Sequence, residues 1–262
     1  SAHRLVITPS DRLAFALTES AVYGDNGEPN RFFEPWFLNP FNLWLLVNEN
    51  YVQSVNTLVA ADVSYRLGSS QRLAGQVFAD DIQVDTRTQG DKEPQQIGFT
   101  LSATGGARHG QVSWSAFYTR VNALDYRTAA NEEQYSIRGL GLARNHSDYD
   151  QLTARATLAP APRALVTGEM TVLRQGAADF RERFPPVSSY ADSLVFLTGI
   201  VERTVRLAAQ AAWTPLEGVN LTADVGRHFI HNAANAPGAS SGRWVWRVRA
   251  EIRRRLTGRL TW

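Results

Sequence analysis

Hydrophobic residues recur at every second position through most of this chain, and that period confines it to β-structure. In 57–67, Val59, Ala61, Val63, Tyr65 and Leu67 share one face, while Asp62, Ser64 and Arg66 share the other. In 97–104, Ile97, Phe99, Leu101 and Ala103 oppose Gly98, Thr100, Ser102 and Thr104. In 151–158, Leu152, Ala154, Ala156 and Leu158 oppose Gln151, Thr153, Arg155 and Thr157. A period of two belongs to a strand with unlike faces, because a helix needs its apolar residues three and four apart. The same pattern fits 3–8, 12–22, 71–81, 111–121, 163–174, 194–214, 218–230 and 243–256. It predicts about eleven strands and no amphipathic helix.

The connections alternate in length as regularly as the side chains alternate in polarity. Short turns are expected at PSD (9–11), GSS (68–70), TGGARHG (104–110), PAP (160–162) and PLEG (215–218). Long polar segments lie between them at 23–56, 82–95, 122–149, 175–193 and 231–242. Brief turns at one end and extended loops at the other are the pattern of an outer-membrane β-barrel. A soluble sandwich or a lipocalin also alternates in and out, but has no reason to collect its long loops at one end. The expected fold is therefore all-β: an antiparallel up-and-down transmembrane β-barrel of the outer-membrane type. It would be a single domain over 1–262, with about 11–12 strands from this chain and lipid against its apolar faces. Trp213 beside a short turn, and Trp244 and Trp246 beside a long loop, fit interfacial girdles. Segment 194–214 exceeds the 9–11 residues a spanning strand needs. Counting back along it from Trp213 brings Arg203 to the outer interface, where a charge costs little.

Strand parity raises an expectation about the chain's start. If the short turns are periplasmic, 3–8 runs inward from outside. An even strand count then calls for at least one strand before Ser1. At the other end Leu256, Gly258, Leu260 and Trp262 alternate up to a terminal aromatic, as bacterial outer-membrane barrels do; LTGR (256–259) can also be read as another short turn.

Composition narrows the partners. A formal net charge of +2 gives no basis for a nucleic-acid partner. Of the 27 basic residues only Lys92 is a lysine, which reflects either codon bias or a choice of rigid guanidinium forks for anions and sugars. With no cysteine there are no disulfides and no thiolate metal sites. No signal peptide opens the sequence, so an exported protein would be represented by its mature form.

The stretch FFEPWFLNPFNLWLLVNENY (32–51) interrupts the pattern. Seven of its twenty residues are aromatic, yet Pro35, Pro40, Asn39 and Asn42 break it well short of a spanning helix of about 20 apolar residues. It falls in the first long loop, with one or two helical turns expected after Pro40. Two roles follow: a plug that buries its aromatics against the barrel wall, or a sugar platform. On the platform, Trp36, Phe37 and Trp44 would stack on pyranose faces while Asn48, Glu49 and Asn50 bond hydroxyls.

Three further groups carry chemistry. Asp80, Asp81 and Asp85 in DDIQVD are weak Ca²⁺ candidates, since their spacing is not that of a calcium loop and a solvated strand exit explains them better. Arg243, Arg247, Arg249, Arg253 and Arg255 share the polar face of the last strand with Glu251. They form a ladder that could guide an anionic polymer or be paired with Glu169, Glu202 and Asp224; Arg243 and Arg247 are expected to be the free part. His228, His231, His146, Asp148 and Asp150 are polar-loop or strand-end residues with no nucleophile assigned to them. No cofactor is expected.

HRLVITPSDRLAFALTESAVYG (3–24), FFEPWFLNPFNLW (32–44), NTLVAADVSYRL with QRLAGQVFADDIQVD (56–85) and YSIRGLGLARNHSDYDQL (135–152) together resemble capsule-assembly outer-membrane proteins of the Wzi type. The shared pattern is a strand pair ending in Glu and Tyr-Gly, a P…NP loop, an Asn-led strand and a strand closing on two acids. Full-length relatives are larger barrels with a preceding portion that this sequence lacks. The resemblance implies a non-enzymatic protein of the bacterial outer membrane that binds or organises surface or capsular polysaccharide. The alternatives are a passive pore or structural subunit joined to other envelope chains, and a barrel-borne hydrolase.

Overall fold

A computed structural model describes residues 1–23, 39, 44, 55–81, 94–107, 111–128, 136–137, 140–141, 146–192 and 195–253. Eleven strands form one antiparallel meander: β1 (Ala2–Ser10), β2 (Leu13–Tyr23), β3 (Val55–Leu67), β4 (Gln71–Asp81), β5 (Gln96–Ala107), β6 (Val112–Val121), β9 (Tyr149–Ala161), β10 (Ala164–Gln175), β11 (Glu202–Leu216), β12 (Val219–His231) and β13 (Ser240–Ile252). Between β6 and β9 a minor ladder pairs β7 (Ser136–Ile137) with β8 (Leu140–Gly141). Each long strand pairs with its neighbour in sequence, so every long connection leaves the same end of the sheet, as loop length predicts. Among the described residues no ladder joins β1 to β13.

Register aligns the alternating patterns of all eleven strands. Leu5 faces Leu17, Leu17 faces Ala61, and Ala61 faces Val77. Leu101 faces Tyr118, which faces Leu152, which faces Val172. Leu207 faces Met170, and Val225 faces Trp246. A slip of one residue at any ladder would turn that strand's apolar set to the other side, so the apolar period fixes the register. The result is one continuous apolar face, and it is the open one. Leu17, Leu101 and Trp246 are 55%, 54% and 75% exposed, whereas Ala16 and Thr153 on the other face are 6% and 1% exposed. A water-soluble sheet buries its apolar side. This one shelters its polar side instead, and at the long-loop end connecting segments pack on that side.

On the polar face, cross-strand threonines satisfy one another. Thr100–Thr119, Thr153–Thr171 and Thr157–Thr167 hydroxyls lie 3.0, 2.9 and 2.8 Å apart. Turn chemistry closes the short end: Gly68 and Gly218 take φ of 65° and 79°, a region that L side chains avoid.

Several strand limits differ from the sequence reading, and two of the differences have a visible cause. β5 continues through Gly105 and Gly106 to Ala107, although TGGARHG reads as a turn from 104. Trp114 on β6 lies across Gly105, where a Cβ would sit 2.6 Å from the indole, so the ring replaces the missing side chain. β11 begins at Glu202 and not at 194, because Leu197 and Gly199 take φ of 53° and 61° and no ladder tolerates that. Arg203 is nonetheless exposed, second in its strand, on the apolar face.

Candidate functional site

The polar face carries a charge row that reaches across four strands. Arg155 on β9 donates to Glu169 on β10 at 2.7 Å, and Arg206 on β11 donates to Glu169 and, at 3.1 Å, to Asp224 on β12. Arg206 can span both carboxylates because Gly226 leaves its flank open: a Cβ there would lie 3.1 Å from Nε and Nη2. The row, with Arg247, lines a hollow of about 670 Å³. Nearer the other edge, Asp62 accepts from Arg4 at 3.0 Å and from Gln76 at 2.7 Å. Arg155 and Arg206 did not stand out in the sequence. Parity alone places both among threonines on the polar face, but only register shows which acids they meet.

Gly226→Val is expected to push the Arg206 guanidinium off this flank and cost about 1–3 kcal/mol. Gly168→Val, with nothing within 4 Å of the added Cβ, is expected to be much milder. Urea midpoints of the two variants in the same detergent check this; equal shifts would remove Gly226 from any role in seating Arg206.

Arg243 and Arg247 were singled out as the free end of an arginine ladder, and they are exposed with no ion pair among the described residues. Glu251 pairs with Arg249 and Arg253, Asp224 with Arg206, and Glu202 accepts from the Ala234 amide at 2.7 Å. Arg255 lies outside the described residues.

At the long-loop end, two segments fold onto the polar side. Val121, Tyr126, Tyr149 and Phe180 are buried together, with Leu58, Phe78 and Leu173 against them. Phe78 stacks on Tyr126 at 5.2 Å and 17°. Asp148, wholly buried, holds the second segment. Its Oδ2 accepts from the Thr198 amide at 2.9 Å, the Thr198 hydroxyl at 2.6 Å and the Ala178 amide at 3.3 Å. Gly176 is required there, since a Cβ would fall 1.8 Å from that oxygen. Asp150 accepts from Arg174 Nε at 2.9 Å and from the Tyr118 hydroxyl at 3.0 Å. His146 approaches Gln175 at 3.3 Å. Asp125, also wholly buried, accepts from the Asn122 amide at 2.7 Å. Burial pushes its carboxyl up to about 8; Asp80 adds to the rise, while the Asn122 amide and Arg120 oppose it.

Of the calcium candidates, Asp80 Oδ2 accepts from the Tyr126 amide at 3.0 Å, so it docks the loop. The Asp81 side chain and Asp85 lie outside the described residues. Among the described residues no three His, Asp or Glu side chains gather around a metal position.

Trp44 occupies a place that neither expected role foresaw. It packs on Ala21, Val55 and Tyr23, lies 4.1 Å from the His3 ring, and its amide donates to Glu19 Oε2 at 3.0 Å. Register puts His3, Glu19, Ala21, Tyr23 and Val55 on the same face as Leu5 and Leu17. The indole is 2% exposed, so it offers no ring face to a sugar. It is buried against the wall as a plug residue would be, but on the apolar side. Among the described residues the inward packing comes from 121–126 and 176–180. Trp36, Phe37, Asn48, Glu49 and Asn50 lie outside the described residues.

Comparison with family models, curated proteins and solved structures found no match. The sites therefore rest on geometry alone. Strand order places Trp44 over β1–β3 and Arg243 and Arg247 on β13, at opposite edges of the sheet.

Proposed function

We propose that this chain forms the wall of a bacterial outer-membrane β-barrel that organises surface polysaccharide without catalysis. One observation carries the membrane reading: exposed apolar side chains such as Leu5, Leu17, Leu101, Leu152, Leu207 and Trp246 share one face across the eleven strands, with the polar residues on the other. Exposed apolar area on this scale is stable against lipid and unstable in water. The odd strand number makes β1 and β13 parallel to each other, so closure by antiparallel pairing takes an odd number of further strands. For the polysaccharide, support comes from Arg243 and Arg247, exposed arginines on the polar face that make no close ion pair among the described residues. Beside them, the threonine and glutamine hydrogen-bonding groups of that face suit hydroxyls. Trp44 is not part of this contact.

The test is binding of an acidic capsular polysaccharide to the chain in vesicles, with neutral dextran as the control. Arg243→Gln with Arg247→Gln is expected to weaken binding about tenfold or more, since two charge-assisted contacts are removed. Unchanged binding would withdraw the arginines from the site, and release of acyl groups or sugars would withdraw the non-enzymatic reading. The burial of the Trp44 ring favours a second reading, a passive pore or structural subunit. Steady single-channel conductance, unaltered by polysaccharide, would place that reading first.

A further inference from the structure

At its long-loop end the apolar face bears a row in which, among the described residues, cations outnumber anions. Arg120, Asp150, Arg174 and Arg203 are directly opposite one another on β6, β9, β10 and β11. One carboxylate thus serves three guanidiniums. Asp150 is engaged by Arg174, and Arg120 lies over the Phe196 ring at 3.8 Å with its Nε on Asn122 at 3.2 Å. Arg203 faces Arg174 across the ladder, is exposed, and has no hydrogen bond or ion pair among the described residues. Like charges placed directly opposite destabilise a sheet, so this arrangement favours a further anion beside Arg203.

A shaped recess lies beside that charge. Arg203, Val205, Phe229, His231, Ser240 and Gly242 line a groove of about 430 Å³ on β11–β13. Val205 and Phe229 are paired, as are Phe229 and Gly242, so the floor is apolar and the glycine deepens it. His231 and Ser240 pair at the rim, on the long-loop side of Phe229. Arg227 adds a cation lower on the same face, 4.9 Å from the Phe229 ring and 5.4 Å from the Trp244 ring. Among the described residues only Asp150 brings negative charge to the row, and Arg174 already holds it.

We infer that this groove binds an anionic phosphorylated membrane lipid, with a headgroup phosphate on Arg203 and an acyl chain on Val205 and Phe229. The inference rests on the membrane reading above. Charge complementarity selects the phosphate, and continuity of the floor with the lipid-facing surface selects a lipid over a free anion. Guanidinium forks suit phosphate oxygens, and a headgroup-level position keeps the charge out of hydrocarbon.

The full chain is reconstituted into phosphatidylcholine vesicles containing either a diphosphorylated disaccharide glycolipid or the same glycolipid dephosphorylated. Insertion is scored by flotation and protease protection, and retained glycolipid is counted by native mass spectrometry. The expected result is equal insertion in both vesicles and preferential retention of the phosphorylated form. Arg203→Gln should reduce retention about tenfold, the scale of one charge-assisted contact. Gly242→Leu, which fills the groove while keeping every charge, should reduce it too; a Cβ at 242 meets nothing closer than 3.6 Å. Arg249→Gln, on the polar face, should change nothing. Normal insertion with equal retention of the two glycolipids overturns the inference and leaves the membrane reading standing. Displacement of the glycolipid by millimolar inorganic phosphate overturns the lipid assignment. Failure to insert in any vesicle removes the membrane reading, and this inference with it.

Discussion

A chain carrying Ala209→Arg is expected to enter bilayers poorly, losing about 2–4 kcal/mol of insertion free energy. Gln210→Arg, one residue away, is expected to insert as the parent does. Ala209 is central in β11, between Gly168 and Val225 on the apolar face, and each of the three is exposed. An arginine there would sit in hydrocarbon with no described carboxylate in the adjacent pairs. Gln210 lies between Thr167 and Asp224 on the sheltered face, where a new guanidinium meets a carboxylate and water. Flotation with vesicles, read beside heat-modifiable electrophoretic mobility, separates the two variants. Equal insertion would mean that the apolar face does not meet lipid, and the barrel reading would fall. The contrast is informative because the substitutions share chemistry and position along the strand and differ only in parity.

The second large effect is set by pH at the loop packed over the polar side. Asp125 in the folded chain ionises near 8, raised from 3.8 chiefly by burial, with Asp80 adding to the rise. The folded state therefore favours the protonated acid. Its contribution is fully present below about pH 4 and is lost as pH rises through about 8, by when the unfolded segment has long been ionised. The gap between those values corresponds to on the order of 5 kcal/mol of local stability. Hydrogen exchange at the Asn122 amide, which bonds the carboxyl, should quicken progressively across this window beyond the intrinsic pH effect. Asp125→Asn keeps an acceptor for that amide and has no charge to bury. It should match the parent near pH 4 and protect the amide better at pH 9. Parallel profiles for parent and variant would show that Asp125 does not titrate in this range.

The strand pattern was legible in the sequence because its cause is local. A side chain at position i shares a face with i+2 whatever the rest of the chain does. Reading Val59, Ala61 and Val63 together therefore needs no knowledge of neighbours. Turn chemistry is local as well, and the length of each connection can be counted directly. Together these gave the meander, its strand order and the end from which the long connections leave. They also placed Arg243, Arg247 and Arg249 on one face, where the structure has them. The exceptions were local readings overruled from a distance: Gly105 stays in its strand because Trp114 lies over it, and 195–201 lies outside the strand, where Asp148 captures Thr198.

What the tertiary structure alone decided is which groups meet. Arg206 joins Glu169 to Asp224 through ladder register, and no count along one strand reveals a neighbour 37 residues away. The loops depended still more on distant partners. Trp44 is held by Glu19 across 25 positions, Tyr126 by Asp80 across 46, and Thr198 by Asp148 across 50. Such contacts close long loops between distant positions, and they carry no period that a linear reading could detect. The sequence therefore determined that an aromatic-rich segment stands between β2 and β3. Folding decided that its Trp44 packs on the apolar face, while Tyr126 and Phe180 are buried on the polar side.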